Sequence, residues 1–75
     1  MTYRVWFLTD GPDGAPFWLM VEELDEDEVR EVKKLLRQMS NAMITRSSDD
    51  MIVWAKTCGV PDWAKLERRI NDDEV

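Results

Sequence analysis

The chain has no histidine, one cysteine, three glycines and three prolines in 75 residues. Each shortage excludes something. Without His, neither a Ser-His-Asp nor a Cys-His catalytic arrangement can be assembled. A zinc site of the usual His and Cys composition is excluded for the same reason. The lone Cys58 rules out an intrachain disulfide and fits a reducing compartment. No long apolar run is present: the one near the N-terminus, Val5–Leu8, is too short for a signal peptide or a spanning helix. The expectation is a cytoplasmic protein without a membrane partner. Gly11-Pro12-Asp13-Gly14 lacks the spacing and the Lys of a phosphate-binding loop. Asp25-Glu26-Asp27-Glu28 lacks the central Gly of a calcium loop. So small a chain can scarcely build the cleft that paired catalytic carboxylates need. A non-enzyme with no metal and no cofactor is therefore expected.

Bases are also in short supply. Ten Lys and Arg face sixteen Asp and Glu, for a net charge of −6. Residues 1–24 hold four acids and one base, residues 25–46 five of each, and residues 47–75 seven acids and four bases. This balance disfavours direct binding to nucleic acid or anionic membrane, and is compatible with docking on a basic surface. Four Trp is a heavy load for one small domain spanning 1–75. Such rings either bulk out a thin core or anchor an interface.

The clearest local signal is Asp25–Met43. Val29, Val32, Leu35, Leu36, Met39 and Met43 recur at steps of three and four, which predicts one amphipathic helix. Asp25 suits the N-cap, Glu28 completes a capping box, and Leu24 with Val29 can form a hydrophobic staple. Acids open this helix and Lys33, Lys34 and Arg37 lie towards its end, as its dipole favours. Glu26 and Arg30 are spaced to pair.

Before that helix, Thr2–Thr9 and Phe17–Glu23 read as strands joined by a turn at Asp10–Gly14. Phe17, Leu19 and Val21 would share one face, and Trp18 and Met20 the other. A rival reading has Pro16 opening a short helix over Phe17–Leu24. After it, Asn41–Arg46 reads as a connector or short strand. Ser48 then looks like a cap for a helix through Met51, Trp54, Ala55 and Cys58, with Gly59 at its end. Pro61 or Asp62 starts a last helix to Ile70, with Trp63, Leu66 and Ile70 as its stripe. Residues 71–75 read as a frayed tail. The expected fold is α+β: an N-terminal β-hairpin on a central amphipathic helix, followed by two shorter C-terminal helices. The alternative replaces the first of these with a second short hairpin at 42–55, because Ile52-Val53-Trp54 suits a strand.

Two stretches resemble known families. Ile52–Pro61 is similar to the first half of a helix-turn-helix, with Ala55, Gly59 and Val60 at the matching spacing. That resemblance implies a recognition helix at Asp62–Ile70, with Lys65, Arg68 and Arg69 as the DNA contacts. It covers about twenty residues, and Lys65 stands where that family has an apolar residue. Thr9-Asp10-Gly11 through Met39 looks like the N-terminal half of ribosome-dependent RNase toxins of the RelE/HigB type, in which the Pro opens a helix. The cleaving Arg, Lys or His strands of those toxins have no counterpart here, so no catalytic residue is carried over.

The leading functional expectation is a small acidic protein-binding module, an inhibitor or adaptor that occupies a basic surface of a partner such as a nucleic-acid-binding protein or complex. Phage-encoded inhibitors, anti-CRISPR proteins among them, are often of this size and charge; no motif supports that assignment. Glu22, Glu23, Glu26, Asp27, Asp49 and Asp50 are the candidate electrostatic contacts. Trp6 and Trp18 are the candidate apolar contacts to a partner or to a second copy. The alternatives are the helix-turn-helix regulator and a homodimeric structural or assembly protein.

Overall fold

Thr2–Asp10 and Pro16–Asp25 are rich in aromatic and β-branched residues, and each forms a strand. In the computed structural model, which describes residues 1–70, these strands are β1 (Thr2–Asp10) and β2 (Pro16–Asp25). They pair antiparallel across a tight turn. Gly11 and Gly14 close that turn through Gly14 N–H to Gly11 O and Gly11 N–H to Ala15 O, both 2.9 Å. Gly14 takes a φ of 82°, a region open to residues without a Cβ. The one α-helix of the described residues, α1 (Glu26–Leu36), follows, then β3 (Ala42–Arg46), β4 (Ile52–Lys56), a three-residue 3-10 turn at Trp63–Lys65, and β5 (Arg68–Ile70). The sheet order is β4-β3-β1-β2-β5, antiparallel except for β5, which runs parallel to β2.

The sheet buries both faces. On one, Val5, Leu24, Leu36, Ala42 and Ile44 form a core with Val29 and Val32 from α1 and with Trp54. On the other, Trp6, Trp18 and Met43 are covered by Trp63 and Leu66 of the C-terminal segment. The indole N–H of Trp18 donates to the Trp63 carbonyl at 2.8 Å, and the two rings meet edge to face with centroids 6.4 Å apart. The Trp6 indole N–H donates to the Thr45 hydroxyl at 2.8 Å, with both residues buried.

A bulge makes the two faces possible. Val5 lies opposite Glu22 and Trp6 opposite Met20, so Val21 has no partner. Past Val21 the alternation of β2 is inverted. Trp18 and Leu24 are both even-numbered, yet they fill opposite cores. Val21 itself is left exposed rather than sharing a face with Phe17 and Leu19. A second bulge, at Val53 in β4, does the same for Ile52 and Trp54.

Several expectations are corrected. The fold is mostly sheet, without two C-terminal helices. Residues 42–56 form an antiparallel hairpin, because Ser47–Asp50 cap a turn rather than a helix. Arg46 N–H donates to Met51 O at 2.8 Å, Asp50 N–H returns to Arg46 O at 2.7 Å, and Asp50 takes a left-handed φ of 59°. Short polar side chains that cap helices also stabilise turns, so the local chemistry did not discriminate. The last helix is also absent. Asp62 is left-handed, only Trp63–Lys65 turn, Leu66 is extended, and Ile70 is exposed on β5. Pro16 opens a strand, which removes the short-helix rival at Phe17–Leu24. The central helix stops at Leu36 rather than Met43. Its buried row is Val29, Val32 and Leu36, while Leu35 is exposed and Met43 is enclosed in β3. The capping is as read in one respect: Asp25 N–H donates to Glu28 Oε1 at 2.9 Å. The frayed tail expected at 71–75 lies outside the described residues.

Two outcomes test this architecture. Thr45→Val keeps side-chain volume but strands the Trp6 indole N–H, and should lower stability to urea by about 1–3 kcal/mol; no loss would mean that this bond is dispensable. Deleting Val21 should turn Leu24 onto the wrong face and abolish the cooperative melting transition, whereas Val21→Ala should melt within a few degrees of the parent.

Candidate functional site

The four acids Glu22, Glu23, Glu26 and Asp27 follow one another across the corner between β2 and α1. All are exposed, and among the described residues none is in an ion pair. Glu23 accepts long hydrogen bonds from the hydroxyls of Thr2 and Ser47, at 3.4 and 3.3 Å. Asp49 and Asp50 are not part of this corner. Asp49 is held in a two-pronged contact by Arg46, at 2.9 and 2.7 Å. Asp50 is bound by Arg68. Both acids serve the β3–β4 turn, so their charge is already answered within the chain.

The tryptophan expectation is corrected. Trp6 and Trp18 are 2% and 0% exposed, sealed beneath the C-terminal segment, and present no surface to a partner or a second copy. The helix-turn-helix geometry is absent too. Lys65 ends a three-residue turn, and Arg68 and Arg69 lie on β5. Arg68 sits over the Trp6 ring as well as on Asp50. Arg69 sits 4.0 Å above the Phe17 ring and pairs with Glu67. These arginines fasten β5 to the sheet.

A concavity beside α1 was missed from the sequence. It is a groove of about 450 Å³, floored by Tyr3, Val29 and Val53. Arg30, Lys33, Lys34 and Arg37 line it, with Glu26 at the N-terminal end of the helix. At about 100° per residue those four cations fall within an arc of roughly 100° on the helix. The groove exists because α1 packs over β1 and β2, while Val53 bulges out of β4. Lys56, also of β4, donates to the Arg37 carbonyl and ties the end of the helix to that strand. Glu26 and Arg30 share the groove but make no ion pair, contrary to their spacing. Among the described residues Lys34 has one loose partner, Glu31 at 3.7 Å. The signal available in the sequence was the spacing 30, 33, 34, 37, which reads equally well as ordinary C-terminal helix charge.

Titration is perturbed at the ion pairs. The Arg46 guanidinium, then the Met51 N–H, pull Asp49 down to about 2. Arg69 lowers Glu67 through its hydrogen bond, and is itself raised by Glu67. Among the described residues no three His, Cys, Asp or Glu side chains are grouped to hold a metal ion. No described helix is long and apolar enough to cross a membrane. No family model matches the chain, and no curated protein or solved structure is significantly similar to it.

The Asp49 shift gives a signed pH dependence. Its folded value lies below its unfolded one, so its contribution to stability is complete above about pH 4 and is lost as pH falls towards about 2. Carboxyl carbon NMR should place its midpoint near the lower value. Arg46→Gln should raise that midpoint towards the ordinary carboxylate range, and an unmoved midpoint would assign the shift to the backbone alone.

Proposed function

We propose that the protein is a non-catalytic binding module, an inhibitor or adaptor that docks on a basic surface of a protein partner in the cytoplasm. The observation that carries this reading is the division of charge by α1. Glu22, Glu23, Glu26 and Asp27 gather at its N-terminal end without ion-pair partners among the described residues, while Lys33, Lys34 and Arg37 lie towards its C-terminal end. An evenly mixed surface would screen itself; a segregated one steers and orients a charged partner. The exposed, unpaired Cys58 suits a reducing compartment. A homodimer is a second reading, favoured by β4. That strand is an edge of the sheet, with Val53 exposed on it, Met51 exposed just before it and Lys56 its one charge, and such an edge can pair with a copy of itself.

Glu22→Lys combined with Asp27→Lys tests the first reading and leaves the groove residues untouched. Loss of an acid from the first helical turn should lower stability by about 1 kcal/mol or less. Partners captured from host lysate by the parent should be lost by this variant and retained by Arg46→Gln. Equal capture by parent and variant would remove the acidic corner as the docking site. Light scattering tests the second reading: a dimer that dissociates in Val53→Lys supports it, and a monomer at millimolar concentration ends it.

A further inference from the structure

We infer that the groove between α1 and the β1–β4 floor binds a nucleotide carrying two or more phosphates. This does not rest on the acidic-corner reading, since it uses the cations further along the helix and shares only Glu26 with that corner.

Four cations converge on one concavity of a chain whose net charge is −6. The helix dipole accounts for bases in the last turn, Lys33 and Lys34, but not for Arg30 further up, nor for all four facing one side. Like charges three and four residues apart oppose one another along a helix. Here Arg30 meets both Lys33 and Lys34, and Arg37 meets both again. The acids nearby leave them largely unpaired: Glu26 lines the groove without pairing, Lys34 has one loose partner, and Arg30, Lys33 and Arg37 make no ion pair among the described residues. An anion in the groove would relieve that repulsion.

The remaining lining selects among anions. From Arg30 to Arg37 the helix rises about 10 Å, a span for several adjacent phosphates rather than one. The floor is not polar. Tyr3 contributes an aromatic side chain to the lining, and Val29 and Val53 contribute aliphatic ones, which inorganic phosphate would not use but a base would. Glu26 can accept a hydrogen bond from a base amino group or a ribose hydroxyl, and would repel a further phosphate. The volume of about 450 Å³ lies in the range of small-ligand sites. A nucleic acid strand fits less well. It would run out of the groove over a surface that is acidic overall, within the reach of screened charges. A nucleotide keeps its phosphates on the cations alone.

The test is an NMR and calorimetric titration of the full chain at about 0.1 M salt, using ATP, GTP, tripolyphosphate, adenosine and a short single-stranded DNA. Saturable binding of ATP or GTP is expected, with amide shifts at Tyr3, Val29, Val53 and along α1. Tripolyphosphate should bind at least about tenfold more weakly, and adenosine should not bind measurably. Lys33→Glu with Arg37→Glu should abolish binding, and a retained melting transition shows that the fold persists. Lys33→Gln alone, a milder change at the same site, should weaken ATP severalfold. Tyr3→Leu should reduce ATP to the level of tripolyphosphate. Absence of saturable nucleotide binding overturns the inference. So do equal affinities for ATP and tripolyphosphate, tighter binding of the DNA, or shifts confined to residues outside the groove.

Discussion

A thin sheet with large apolar groups on both faces has to be covered twice, and the rest of this structure follows from how that is done. β1 shows the problem most plainly. Val5 points to one core and Trp6 to the other, and each is 2% exposed. One helix can cover only one face. The other is closed by residues 57–67, which carry no long helix and little regular structure, but bring Trp63 and Leu66 onto Trp6, Trp18 and Met43. The indole N–H groups of Trp6 and Trp18 need acceptors once they are enclosed. Thr45 and the Trp63 carbonyl supply them, and no described buried side-chain polar atom is left without a partner.

The bulge at Val21 is the second half of the same solution. Trp18 must face the C-terminal segment and Leu24 must face α1, where it shares a core with Val29. A regular strand would send both to one side. One unpaired residue reverses the parity and lets a single strand serve two cores. Asp25 then stands at the right place to begin α1 directly, with no loop between strand and helix. Arg68 and Arg69 complete the closure. Each lies over an aromatic ring and pairs with a carboxylate, so the short β5 is held by side chains as well as by its ladder.

What could be read from the sequence divides along physical lines. β1, its turn, most of β2 and the start of α1 were legible, because local propensity, capping and periodicity agree there. The C-terminal third was not. Ser48, Asp49 and Asp50 are good helix caps and good turn formers, and only the long-range pairing with β1 decides that they are the latter. Trp63 and Leu66 are spaced as on a helix, yet a three-residue turn suffices to aim both at the sheet. Met43 extended the helical pattern by coincidence of spacing, since β3 follows the helix closely. Of the candidate residues, Glu22, Glu23, Glu26 and Asp27 stay close in space because they lie within six residues of one another. The roles of Trp6 and Trp18 were not legible, because burial depends on what the far end of the chain does.

The groove illustrates the same limit from the functional side. Its four cations sit on one helix, so their common flank could be drawn from spacing alone. Whether that flank faces water or a concavity depends on Tyr3, more than twenty residues before it, and on Val53, some fifteen after it. Val53 reaches the groove only because β4 is bulged at that residue. Both bulges therefore matter beyond packing. The one at Val21 sets which core Leu24 serves and so helps seat α1, and the one at Val53 supplies the floor beside it. Between them they set a charged helix flank beside apolar surface, so that what would be an ordinary solvated face becomes one side of a groove.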